Sequence, residues 1–327
     1  MSLLSKLKKA TSRKKTRQSP EPTTAKELAG TVVLTKPKRS DSLVDLAPPA
    51  PQPKPPVLPQ SDRAFLENAY QRYYVNGVHT KTAKLRKRLY SFMGKGETGY
   101  LEHAVTDAEF RDFIADNPDY RVSSQSAKSL DEALAAGDYF HVSNKAYKER
   151  QLDQRARRII VNVKTQEAGL KLAKTLTSLF KDKDVSQYFR KFKIYLSGTA
   201  AAKKKVKYDK LVIYYMTSDA DANGSDLVGD RIAETITDTV PAKDLDDAVA
   251  PFYKTRTPGV AFAEEPKYFL DSQAGSFTHS RRDIIADVIE RNDKVDSAEA
   301  FIDLVNAAFT AKGVNPAAPH THLAETP

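Results

Sequence analysis

The sequence predicts an α+β domain, with N-terminal helices followed by a mixed, mainly antiparallel sheet with packed helices, a single domain behind a disordered tail. Three observations carry that class. Apolar residues recur at helical spacing up to residue 136, period-two alternation begins at Asp138, and ten of the eighteen prolines fall in residues 1–60.

The tail is set by composition. Pro48 to Pro59 places seven prolines in twelve positions, close to a polyproline II spacer. Such a segment buries too little apolar surface to offset its ordering entropy. Residues 1–60 also hold twelve Lys/Arg and four Asp/Glu, which is +8 of the chain's +10, so the rest carries +2. That placement removes the compositional case for nucleic-acid binding by the domain. It leaves a basic arm suited to acidic surfaces of any kind. Within the arm, Leu28–Leu34 alternates weakly and either pairs as a strand with a partner or stays unstructured. The expected division is a tail over 1–60, a domain over 61–312 and a flexible C-terminal tail over 313–327.

Each element has its own signal. Ala64, Phe65, Ala69, Tyr70, Tyr73 and Tyr74 predict a helix over 62–75, ended by Asn76 and Gly77. A basic helix follows over 79–93. A third spans 105–116, with Thr106 and Glu109 spaced as a capping box, and a short fourth spans 129–136. Strands are expected over 138–143 and 158–163, then an amphipathic helix over 165–181 presenting Ala168, Leu172, Leu176 and Leu179. Phe192, Ile194 and Leu196 mark another strand, and residues 210–215 form the most apolar one. A helix over 226–238, an irregular stretch over 259–279 and helices over 281–291 and 297–311 complete the order.

Several chemistries are excluded at once. Cysteine is absent, so there is no disulfide framework and no thiolate. No run of eighteen apolar residues exists, and the start at Met1 lacks the apolar core of a secretory signal. No GxGxxG, P-loop, HExxH or GxSxG motif is present, and neither a metal nor a cofactor is expected. The aspartates between Asp219 and Asp226 resemble the start of a calcium loop. Position twelve is Asp230 rather than Glu and no helix leads in, so a polar loop is expected.

Two segments carry more. The first runs from Pro258 to Pro266 and continues with Ser276-Phe277-Thr278-His279-Ser280-Arg281-Arg282-Asp283, opening a helix. With Ser276 or Thr278 as cap, Arg281 and Arg282 fall in the first turn, where a cation opposes the helix dipole. Two accounts remain open. Either Arg281 faces an anion that backbone N–H groups also hold, or it pairs with Glu264 or Glu265.

Gly259-Val-Ala-Phe-Ala-Glu264-Glu265-Pro266 followed by Ser276-Phe277-x-x-x-Arg281 resembles the signature of the HopA family. These are type III secreted effectors of plant-associated bacteria, with relatives in peptide-modification clusters. Thr278 stands where the family has Gly. The resemblance runs from about Tyr70 to Asp287, and its specific part is the second half. It implies secretion through a type III system into a host cell, a secretion chaperone on the tail near Leu28–Leu34, and a host protein target that the sequence does not name.

The second segment, Gly137-Asp-Tyr139-Phe-His141-Val-Ser143, is similar to the Gly-Asp-Lys-Phe-His-Ile-Ser stretch of bacterial phosphothreonine lyases. In those enzymes a Lys takes the α-proton and a His protonates the leaving phosphate. The resemblance implies His141 as acid, with Tyr139 in the place of a Lys. Lys191-Phe-Lys193-Ile194 is similar to the lyases' Lys-Trp-Lys-Val, which makes Lys193 a candidate cation or base. His141 is otherwise a satisfied strand histidine, Lys193 a solvated one, and a tyrosine of ordinary pKa about 10 is a poor base.

The candidate set is therefore His141, Lys193 and Tyr139 for chemistry, Arg281, Arg282 and Ser276 for phosphate, and Gly259, Glu264, Glu265, Pro266 and Phe277 as family motif. The expected function is a type III effector with a phosphate-recognising domain. The alternatives are a non-catalytic domain that binds a host protein, and an accessory lyase of a peptide-modification cluster.

Overall fold

The computed structural model describes residues 57–94, 104–115, 117–148, 156–199, 207–218, 221, 225–266 and 275–323. The expected tail up to residue 56, most of the calcium-like loop and residues 267–274 lie outside them.

The sheet is built from β3 (Tyr120–Ser124), β4 (Asp138–Asn144), β5 (Ala156–Val161), β6 (Phe189–Leu196), β7 (Leu211–Met216), β8 (Lys254–Thr257) and β9 (Val260–Glu264). Their order is β3-β4-β6-β7-β5-β9-β8, and every described pairing is antiparallel. The α+β class with a mainly antiparallel sheet holds, and among the described residues no parallel pairing occurs. β9 lies inside the stretch expected to be irregular, and β8 just before it in residues to which no element was assigned. Their turn needs Gly259, whose φ of +73° favours glycine and whose added Cβ would sit 2.8 Å from the Asp246 carbonyl oxygen.

The remaining elements follow the sequence signals closely. α1 (Gln60–Tyr73) ends in the two-residue strands β1 (Tyr74–Val75) and β2 (Val78–His79), joined by Asn76 and Gly77, both at positive φ. That is the hairpin turn such a pair favours, where the sequence predicted only a stop. α2 (Leu85–Gly94) starts six residues later than expected. α3 (Asp107–Ile114) and α4 (Leu130–Ala136) each open on a complete capping box, Thr106 with Glu109 and Ser129 with Glu132. α5 (Gln166–Ser178), α6 (Leu227–Thr239), α7 (Phe277–Arg291) and α8 (Ala298–Ala311) complete the described set.

Period-two alternation sorts each strand onto two faces. One face presents Phe140, Val142, Phe192, Ile194, Leu211, Ile213, Ile159 and Val161, all essentially without solvent exposure, against α3 to α6. The second core joins α1, α2, α7 and α8 through Leu66, Leu89, Ile285, Ile289, Phe301 and Phe309, and includes Ala263 of β9 and Phe277. Helices therefore lie on both sides of the sheet. Asp62 fastens α1 to this core by accepting the Phe252 N–H at 2.7 Å.

The C-terminal segment departs from expectation. Residues 313–323 are packed: Val314 is fully buried and bridges to His322, and Leu323 N–H donates to Gly313 at 2.8 Å. The reason is tertiary, because a buried guanidinium on α7 needs the carbonyls that this segment supplies.

Candidate functional site

The opposite face of the sheet is polar over β4 and β6, and turns apolar at Val212, Ile160 and Ala261 of β7, β5 and β9. The register pairs His141 with Lys193 and Ser143 with Lys191 across β4 and β6. It then pairs Lys191 with Tyr214 of β7, and Tyr214 with Arg158 of β5. Directly paired residues share a face with Cβ atoms about 5 Å apart, so His141, Lys191, Lys193, Tyr214 and Arg158 form one layer. Gly137 sets the start of β4: it closes α4 at a φ of +70°, and a Cβ there would collide with the Tyr195 hydroxyl.

The layer is unevenly compensated. Lys193 Nζ donates to Asp209 Oδ2 at 3.2 Å and sits 4.1 Å from the centre of the Tyr139 ring. Tyr139 donates its hydroxyl to Asp209 Oδ1 at 3.1 Å and packs edge-on against Tyr195. Burial, then the Asp209 charge, pushes the Tyr139 pKa well above its ordinary value, so the phenol is a donor and not a base. Arg158, buried, donates its Nε to Glu265 Oε1, reaches the Tyr253 hydroxyl at 3.3 Å and lies over the Tyr214 ring.

Lys191 has no carboxylate partner among the described residues. Its ammonium lies 5.5 Å from the Tyr214 ring centre, and burial, Arg190 and Lys193 all lower its pKa. His141 feels the same field. Burial first, then Lys191 and Lys193, pushes its pKa down to about 4, and its buried Nδ1 finds no hydrogen-bond partner. At neutral pH His141 is a neutral imidazole beside two cations.

Lys191 also lines a cleft of about 230 Å³ together with Arg157, Arg158, Arg190, Tyr214, Glu265 and Ser276, a set with four cations and one carboxylate. Ser276 occupies the cap position of α7, but its side chain makes no capping bond. Among the described residues no group of acids and histidines is arranged to hold a metal ion.

The two arginines expected to hold phosphate sit elsewhere. α7 starts at Phe277, which moves Arg281 into the second turn and into the protein interior. Arg281 is 0% exposed, donates to Pro319 O at 2.7 and 2.9 Å and to Thr321 O at 3.3 Å, and lies over the Phe277 ring. A desolvated guanidinium must satisfy its donors locally, and the C-terminal segment does so. Arg282 is forked onto Asp283 at 2.8 Å. The expected convergence of Arg281 with His141 and Lys193 is corrected: those two share a layer and Arg281 does not join it.

The alternative pairing of Arg281 with an acid is corrected as well. Glu265 takes Arg158, while Glu264 takes Arg157 at 3.1 Å and the His322 ring at 3.2 Å. Glu264, Glu265, the buried Pro266 and Phe277 thus serve to tie strands, C-terminal segment and α7 together. Sequence reasoning missed Lys191, Arg158, Tyr214 and Asp209. Lys191 was findable, two positions from Lys193 on the same strand face. Asp209 lies in a loop and had no local signal.

The model of the HopA1 effector protein family matches residues 129–321, the part of the chain that holds the whole sheet from β4 to β9 and the C-terminal segment. Two solved structures share the fold. The effector protein from Pseudomonas syringae pv. tomato strain DC3000 aligns at TM-score 0.56 and 15% identity, over 81% of this chain and 98% of its own. The effector protein from Pseudomonas syringae pv. syringae strain 61 aligns at TM-score 0.56 and 12% identity, over 81% and 96%. The type III effector/phosphothreonine lyase OspF from Shigella flexneri aligns at TM-score 0.31 and 12% identity, over 63% of this chain and 90% of that one. No curated protein sequence matches the chain. With the family model spanning more than half of the sequence, the chain belongs to the HopA1 effector protein family.

Proposed function

We propose that the chain is a type III secreted effector acting in a host cell, and that its domain recognises a phosphate group at the layer of His141, Lys191 and Lys193. The observation that carries this reading is uncompensated charge. Two lysines depress a neighbouring histidine, one of them has no carboxylate at ion-pair distance among the described residues, and both lie on the sheet face opposite the main apolar core. A phosphate dianion beside them supplies the missing negative charge and raises the proton affinity of His141.

The chemistry that fits is β-elimination from phosphoserine or phosphothreonine. A base removes the Cα proton, its electron pair forms the Cα–Cβ double bond, and the Cβ–O bond breaks with phosphate leaving. His141, protonated once phosphate is bound, is the donor to the leaving oxygen. Lys193, held by Asp209, is the cation or base of the pair, and Tyr139 orients Asp209 by its hydroxyl. Lys191 and the cleft behind it take the phosphate role first given to Arg281 and Arg282, with Ser276 at the rim. In this reading the basic tail is the secretion segment and carries the chaperone site.

The test is incubation of the full chain with a phosphoserine and phosphothreonine peptide panel, with mass spectrometry for loss of phosphoric acid. A dehydrated peptide that disappears with His141→Ala supports elimination. A second reading, a domain that binds phosphate without chemistry, is favoured by Tyr139, which fills the place of the lyases' Lys with a buried ring. Binding by calorimetry with no dehydrated product selects it, and neither binding nor product overturns both. The third reading, a lyase of a peptide-modification cluster, would be favoured by gene neighbourhood. Delivery is tested separately, by type III secretion of the chain with and without residues 1–60.

A further inference from the structure

A second cationic site lies away from the sheet. Arg72 of α1 and Lys84, Lys87 and Arg88 at the start of α2 line a groove of about 500 Å³, with Ser91 and Phe92. All four cations are exposed. Arg72 sits 5.1 Å from the centre of the Phe92 ring. No carboxylate lies within ion-pair distance of any of the four among the described residues.

The contrast on the same helix is instructive. Arg86 turns towards α7 and meets three carboxylates, Asp283, Asp287 and Glu290. Arg63 on α1 meets Glu67 and Glu299. The helix pair therefore neutralises the cations that face the bundle and leaves four like charges on one groove. Such a groove selects an anionic occupant. The chain's own tail is not a candidate, because residues 1–60 carry +8.

The connection between the two helices narrows the choice. The β1–β2 hairpin joins the end of α1 to α2 and exposes Val75 at 58% and Val78 at 53%, two of the few large aliphatics left in solvent among the described residues. Apolar side chains on the hairpin that links the two groove helices match a bilayer surface, where cations meet headgroups and aliphatics enter the interface. We propose that the α1–α2 groove binds an anionic membrane, with a phosphorylated headgroup seated among Arg72, Lys84, Lys87 and Arg88. The basic tail would add to the same attraction, so the effector would act at a membrane surface.

The test is co-sedimentation of the full chain with phosphatidylcholine vesicles, with and without phosphatidylserine or a phosphoinositide. The comparison variant is K84E/K87E/R88E in the full chain. These side chains are exposed, so an unchanged melting temperature is the control for folding. The expected result is binding to anionic vesicles only, weakened at least tenfold by the triple variant. Unchanged binding by that variant would assign the attraction to the tail and overturn the proposal. Equal affinity for a single-stranded oligonucleotide or an acidic peptide at the same ionic strength would also overturn it, as a general polyanion surface.

Discussion

The two faces of the sheet are made by the same strands and have opposite characters. On β6, Phe192 and Ile194 are fully buried against α5, while Lys191 and Lys193, alternating with them, carry charge in a half-buried layer. One residue of register separates the two. The apolar face needs its side chains for folding, whereas at β4 and β6 the other face places like charges together. Groups kept together against their mutual repulsion mark a candidate site, and that contrast can be broken or sharpened by substitution.

The largest effect is expected on the apolar face. Phe192→Ala should lower stability by about 3–5 kcal/mol, read by urea denaturation, because the cavity sits in the middle of the sheet. Next is the buried pair at the edge of the polar layer. Glu265→Ala leaves the buried Arg158 without its carboxylate and should cost about 3 kcal/mol, while R158M/E265L recovers most of that. A double variant as unstable as the single would mean that the pair itself, and not the orphaned charge, holds the fold.

Lys191→Met should do the reverse. Its melting temperature stays within a few degrees of the parent or rises, since repulsion with Arg190 and Lys193 is relieved. Affinity for inorganic phosphate falls about tenfold, which is about 1.4 kcal/mol. Equal phosphate affinity in parent and variant would remove Lys191 from the site.

The smallest effects are in pH dependence. His141 and His320 are both pushed down to about 4, chiefly by burial, from an ordinary value of 6.5. Between those values the unfolded chain binds more protons than the folded one, so stability falls as pH drops from 6.5 towards 4. Asp62, pushed up to about 6 by burial, works the other way, since its contribution is present at low pH and lost as pH rises through 6. His141→Gln should flatten the acid loss and Asp62→Asn should steepen it, both read from thermal melts between pH 4 and 7. Phosphate should move the His141 titration upward in an NMR pH series, and a titration unmoved by saturating phosphate would count against the site.

The sequence by itself determined the helices with caps, the strands with clean alternation and the α+β class. Capping boxes at Thr106 and Ser129, and the run from Asp138 to Ser143, are local devices, because each depends on residues within four positions of one another. It also brought out His141 and Lys193, although their pairing across β4 and β6 follows from the fold. Tertiary structure alone decided the strand order, the discovery of β8 and β9, and the fate of the arginines. Arg281 read locally as a first-turn cation for an anion. Its burial drew it to Pro319 and Thr321, about forty residues away, because an interior guanidinium must find acceptors wherever the chain brings them. Asp209, which fixes both Lys193 and Tyr139, sits in a loop whose position only the packed sheet defines.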